Sequence, residues 1–245
     1  MSLRDALEAQ GRWLFLRRSH LPLLLTPVFV AALVDFHYSG DRALDEGWEI
    51  VCLAIAFAGL GVRAATVGFV PAGTSGRHTS CQIAEELNTT GTYSIVRHPL
   101  YLGNAIITLG FTLFFRSWWL VAVVLLAFGL YYERIMLAEE GFLRERFGPA
   151  FEAWAARVPA LLPNLRLWQA PALQFSWRTV VRREYHGAVG ILAAFAGFRI
   201  LGALIVRGHL VLDPAAQAGA VVAAVVFAVC RFLRKRTTLL HVPGR

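Results

Sequence analysis

The densest run of reactive residue types is Gly91-Thr-Tyr-Ser-Ile-Val-Arg-His-Pro-Leu-Tyr-Leu-Gly-Asn104. Arg97, His98 and Pro99 stand where a polar stretch enters an apolar one. Pro99 suits the first turn of a helix, where its missing N–H costs nothing. Tyr101 lies four residues past Arg97, so both can face one side of that turn. Gly103 would let a ligand or another backbone come close, and a helix start here favours anionic groups. A second run, residues 133–159, carries Glu133, Glu139, Glu140, Arg144, Glu145, Glu152 and Arg157. Carboxylates at the end of an apolar segment are costly against lipid. They should face a wet cavity or pair with arginine.

The elements that must hold these residues are apolar. The 245 residues are 57% hydrophobic and only 16% charged, with a mean hydropathy of +0.54, against roughly 25% charge in an ordinary soluble domain. Six apolar segments, 21–37, 48–70, 100–115, 118–137, 187–206 and 215–232, approach bilayer length. The expected fold is all-α, a polytopic transmembrane helical bundle of about six spans. Arg63 lies well inside the second segment, and the first carries Pro22 and Pro27. Arg116 and Ser117 leave room only for a tight hairpin between the third and fourth. With no small-residue cleavage site evident before Tyr38, the first segment reads as a retained span. Residues 139–156 read as a helix continuing beyond the bilayer, its apolar positions Leu143, Phe147, Phe151 and Trp154 at steps of three to four, ended by Pro159 and Pro163. Gly59-x-Gly61 has no strand before it and reads as helix packing. The simplest organisation is one membrane domain over 1–245, with N-terminal spans in 1–72, a core in 88–163 and an accessory pair of spans in 164–245.

Net charge is +8, and Lys235 is the only lysine. The arginines flank apolar segments, which suits anionic headgroups and membrane lipids as partners rather than nucleic acid. Arg12, Arg17, Arg18, Arg77, Arg97, the arginines between 134 and 183 and the 231–236 cluster fall on one side. Only Arg42, Arg116 and Arg207 fall on the other. The positive-inside rule puts both termini and both polar runs in the cytoplasm. The alanine- and arginine-rich composition points to a bacterial inner membrane. Cys52, Cys81 and Cys230 form no CxxC spacing, so neither a disulfide nor a metal site is expected.

The order Gly-x-Tyr-x-x-x-Arg-His-Pro-x-Tyr-x-Gly, a hairpin of two spans, Glu139-Glu140, Phe147-Gly148 and Arg157-Val-Pro resembles the isoprenylcysteine carboxyl methyltransferase family over 88–163. Glu139 and Glu140 lie nine and eight residues before Gly148, and Arg157 nine after it. The resemblance implies an enzyme that binds S-adenosylmethionine under cytoplasmic loops and methylates an amphipathic acceptor, a lipid or prenylated small molecule, from the bilayer. It places Tyr93, His98, Tyr101, Gly103, Glu139 and Glu140 at the cofactor, and Arg97 and Arg157 at methyl transfer. Asn104, Trp154 and Arg157 would meet the acceptor. Phe151 and Trp154 stand where these enzymes often have tyrosines, and neither the first span nor the last eighty residues match their motifs.

Methyl transfer from a sulfonium is an in-line displacement by an activated donor, so the protein supplies orientation and dryness. A carboxylate acceptor needs only a cation to align it, for which Arg157 and Arg97 qualify. An amine must lose a proton, and His98 or Glu140 would be the base. The sulfonium favours aromatic faces and carboxylates, here Tyr93, Tyr101 and Glu140. Phospholipid N-methyltransferases share a similar Arg-(His/Asn)-Pro-x-Tyr-x-Gly stretch and remain an alternative. So do NADPH-dependent sterol reductases, which place aspartate where this chain has Asn104, and a non-catalytic membrane scaffold.

Overall fold

The computed structural model describes residues 3–17, 24–71, 74, 84–209 and 213–245. Arg18, Leu21, Pro22, Arg77 and Cys81 lie outside them. The described chain is helical: α1 (Leu3–Arg17), α2 (Thr26–Val34), α3 (Arg42–Val67), α4 (Pro99–Phe114), α5 (Trp118–Phe147), α6 (Pro149–Ala155), α7 (Trp177–Arg207) and α8 (Pro214–Arg236), with short 3-10 turns at Thr92–Ser94 and Leu165–Leu167. Four helices, α3, α5, α7 and α8, are long and apolar enough to cross a bilayer, and α4 is a shorter apolar helix. Their outer faces are large and apolar, among them Ile50, Leu126, Val221 and Val225, all more than half exposed. Only lipid solvates such a surface. The protein is an integral membrane protein.

Among the described residues, these four long helices and the shorter α4 stand against the six spans that hydropathy predicts. In the expected first segment the described residues form only the nine-residue α2, which opens at Thr26-Pro27. Nine residues reach about 14 Å, half a hydrocarbon core. Its Ala32 and Leu33, with Phe36 just beyond, join Cys52, Ala56, Phe114, Phe115, Leu120, Ile191 and Phe195 in the central core, while Val30 and Val34 are exposed. Phe114 and Phe115 stand within 5.6 Å of Phe29, Phe36 or Phe198 rings, an arrangement that favours offset and edge contacts. Cys52 is therefore a small apolar core residue.

Capping chemistry sets the helix ends. The Asp41 carboxylate accepts from the N–H groups of Ala43 and Leu44 to start α3, and Ser176 accepts from Thr179 N–H to start α7. Asp213 and Pro214 start α8. The α4–α5 hairpin is as tight as expected: Arg116 takes a left-handed φ of 54° while its guanidinium donates to Asp45 at 2.6 Å.

α4 lies along α3, α7 packs on α3 and pairs with α8, and α1 lies along the second half of α5. The α3–α4 crossing is close enough that a Cβ on Gly103 would stand 2.8 Å from Gly59 O and 2.5 Å from Arg63 Cγ. Gly59 thus packs helices as expected, and Gly103 answers it. The helix expected over 139–156 is two helices. Gly148, at φ 52°, ends α5 and begins α6, a conformation that costs glycine nothing, and Pro149 fits only the new first turn. α1 is an element the sequence pattern hid. Its Leu14 and Phe15 pack with Tyr101, Ile135 and Met136.

Candidate functional site

The site lies where α4 starts and the second half of α5 passes it. The loop before α4 is shaped by backbone bonds to distant chain: Arg97 N–H donates to Pro159 O at 2.9 Å, His98 N–H to Ala160 O at 3.1 Å, and Asn164 N–H to Ile95 O at 2.9 Å. Farther back, Gly91 makes a single bridge with Gln169. The Arg-His-Pro run is thus held against the segment that follows α6, and Pro99 begins α4 behind it.

Five predicted residues converge. Arg97 Nε donates to Glu140 Oε1 at 2.8 Å, and its Nη1 donates to Ala155 O and Val158 O, both at 2.8 Å. His98 Nε2 lies 3.0 Å from the same Glu140 oxygen, and Nδ1 lies 3.7 Å from Glu139 Oε2. Tyr101 Oη donates to Glu139 Oε1 at 2.6 Å. The His98 and Tyr101 rings stack at 5.7 Å, and Tyr101 meets the Tyr132 ring at 4.6 Å. His98 is buried. Burial alone would depress its pKa, but the bonds and charges of Glu139 and Glu140 outweigh it and hold the imidazole above the ordinary value of 6.5. Glu140 thus holds the ring through Nε2, with the Glu139 carboxylate beside Nδ1.

The other predicted residues fall elsewhere. Tyr93 and Trp154 meet each other, the indole N–H donating to Tyr93 O at 3.1 Å. Trp154 is buried with Phe151 and Val158 in a cluster that Tyr93 packs against, distinct from the one around Tyr101. Their observed work is to fasten α6 to the loop before α4. Gly103 meets α3 rather than open space. Arg157 is exposed, and its Nε reaches only Ala153 O, at 3.3 Å.

Sequence reading did not single out Arg63, Tyr132 or Glu184 as site residues. Arg63 on α3 donates through Nε and Nη2 to the two Glu184 oxygens on α7, at 2.8 and 2.9 Å, and through Nη1 to Asn104 Oδ1 at 2.8 Å. Asn104 Nδ2 donates to Tyr132 Oη at 3.0 Å. The one available signal was Arg63 itself, a charge inside an apolar segment. Among the described residues no three His, Cys, Asp or Glu side chains are grouped to hold a metal ion.

Residues 50–150 match the phospholipid methyltransferase family. That stretch takes in most of α3 and all of α4 and α5. The chain is 34% identical over 175 residues to the nickel-cobalt-cadmium resistance protein NccN of Alcaligenes xylosoxydans xylosoxydans, covering 69% of this chain and 77% of that one. It is 36% identical over 143 residues to the cobalt-zinc-cadmium resistance protein CzcN of Cupriavidus metallidurans, covering 58% of this chain and 62% of that one. The chain belongs to the family represented by NccN. No solved structure matches it.

Proposed function

We propose that the protein transfers a methyl group from S-adenosylmethionine to a lipid-like or prenyl-like amphipathic acceptor, an exposed carboxylate being the favoured one, in the manner of isoprenylcysteine carboxyl methyltransferases. The observation that carries this reading is the joining of Arg97, His98 and Tyr101 with Glu139 and Glu140 beside the stacked rings of Tyr101 and Tyr132. Two carboxylates stand there beside aromatic rings, the surroundings a sulfonium favours. The residues present fit that cofactor. When bound, it would supply an already activated methyl group. The chain's own part is to orient, to exclude water and to align the acceptor.

The engagement of His98 favours the carboxylate acceptor. Its Nε2 is already held by Glu140 and its Nδ1 lies beside Glu139, so both nitrogens face carboxylates rather than an amine. A carboxylate needs no base, and exposed Arg157, bonded only to a carbonyl of its own turn, offers a guanidinium fork for it. Phospholipid headgroup N-methylation is the second reading. It is favoured by the family match over 50–150, and it would require an amine that arrives deprotonated. In this reading the site end faces the cytoplasm of a bacterial inner membrane, following the arginine distribution.

The test is S-adenosylmethionine binding to the detergent-purified chain by calorimetry, with Glu140→Ala beside wild type. Binding should weaken by about a hundredfold or more once Arg97 and His98 lose their shared acceptor. A folded wild type that takes up no S-adenosylmethionine would end the methyltransferase reading. If it binds, labelled donor with a farnesylated cysteine or phosphatidylethanolamine separates the two acceptors.

A further inference from the structure

The α7–α8 hairpin lies beyond the matched residues 50–150, yet it reaches the site through one side chain. Glu184 on α7 is 4% exposed on its side chain, and its partner Arg63 16%. The bidentate grip uses both Glu184 oxygens, and the remaining guanidinium nitrogen donates to Asn104. From there contacts run without a break: Asn104 amide to Tyr132 hydroxyl, Tyr132 ring to Tyr101 ring, Tyr101 hydroxyl to Glu139. Arg63 is thus a buried cation only a few contacts behind the aromatic faces proposed for a sulfonium. A cation there repels the ligand unless its own charge is cancelled, and a low-dielectric wall transmits such repulsion well.

We propose that Glu184 is a positioning residue of the site. By neutralising Arg63 and holding it against Asn104, it lets the inner wall of the pocket accept a cationic ligand. The inference rests on the S-adenosylmethionine reading. It also gives the C-terminal hairpin a function beyond anchoring, because the hairpin supplies an anion that offsets a charge carried by the core.

The experiment compares S-adenosylmethionine with S-adenosylhomocysteine, which lacks the methyl group and the positive charge, by calorimetry on the full chain. Glu184→Gln should lower affinity for the cationic ligand by about tenfold while moving the neutral one less than about threefold. Glu184→Asp should recover most of that ratio. The double variant Arg63→Gln/Glu184→Gln, neutral again, should return it to the wild-type value. A general loosening of the fold would weaken both ligands alike and would not be reversed by a second substitution. Should Glu184→Gln fail to fold, Arg63→Gln decides. With the cation removed and the carboxylate kept, it should shift the ratio the opposite way. Equal changes for both ligands, or none, in folded variants overturn the proposal. A wild type that binds both ligands while every variant keeps its ratio overturns this inference alone. A wild type that binds neither removes the methyltransferase reading and this inference with it.

Discussion

The two ends of the bundle both concentrate charge, and they use it differently. At the end away from the site, Arg116 pairs with Asp45, Arg42 with Glu46, and Arg199 with Glu49 and Asp213. All of these residues but Arg116 line a cleft of about 440 Å³ with Tyr38 and Gly40. Two of the groups pin connections: Asp45 holds Ser39 N–H as well as the α4–α5 hairpin, and Arg199 ties the start of α8 to α3. At the site end, partners 38 to 43 residues apart meet on two neighbouring carboxylates, and one Glu140 oxygen serves both Arg97 and His98. Stacked aromatic rings border this cluster. Separate pairs can be lost one at a time. A shared acceptor makes its donors interdependent, and that interdependence is what separates a site from a set of staples.

The largest contrast should come from removing one arginine at each end. Arg97→Ala frees a Glu140 carboxylate that is only 15% exposed and orphans the carbonyls of Ala155 and Val158. Stability should fall by about 3–5 kcal/mol, as when one partner of a buried pair is deleted, and S-adenosylmethionine binding should be lost. Arg199→Ala leaves Glu49 and Asp213 beside an open cleft that water can enter, so about 2 kcal/mol is expected, with ligand affinity unchanged. Thermal unfolding and calorimetry on both variants read the comparison. Equal losses of affinity would erase the distinction between the two ends.

A smaller effect should appear on titration. The folded pKa of His98 is raised above 6.5 by Glu139 and Glu140, so the folded state holds the proton more tightly than the unfolded chain. The stability this contributes is fully present below about pH 6.5 and disappears as pH rises through the folded value. Wild type should therefore lose more thermal stability between about pH 6 and pH 9.5 than His98→Gln. Parallel slopes for the two proteins would mean that the imidazole is neutral in the fold, which would restore it as a candidate base for an amine acceptor.

What the sequence made legible follows distance along the chain. Arg97, His98 and Tyr101 fall within one turn, and Glu139 and Glu140 are neighbours, so their types and spacing were readable before any contact was known. The Arg63–Glu184 pair spans 121 residues between two helices, and no local pattern announces it. Hydropathy weighs only apolarity in 21–37, and among its described residues Ala32, Leu33 and Phe36 are apolar because they fill the phenylalanine core. The break at Gly148 was available in the sequence, since glycine followed by proline ends one helix and starts another. Trp154 was assigned to the acceptor from its place in the motif, whereas its apolar spacing with Phe147 and Phe151 was already the signature of the buried face it occupies.

The smallest effect on stability, and the most informative for the acceptor, belongs to Arg157. It is exposed and bonds only one carbonyl of its own turn, so Arg157→Ala should change unfolding by no more than about 0.5 kcal/mol. S-adenosylmethionine affinity should also hold, because the five converging residues are untouched. Turnover of a farnesylated cysteine carboxylate should nonetheless fall by about a hundredfold, with Arg157→Lys recovering little, because an ammonium supplies charge without the planar fork. Methyl transfer to phosphatidylethanolamine has no carboxylate to align and should be insensitive to the same change. A variant that loses both activities together would show that Arg157 shapes the entrance rather than grips the acceptor. One that loses neither would transfer the search for the aligning cation to Arg97, which already spends its Nε and Nη1 on Glu140 and two carbonyls.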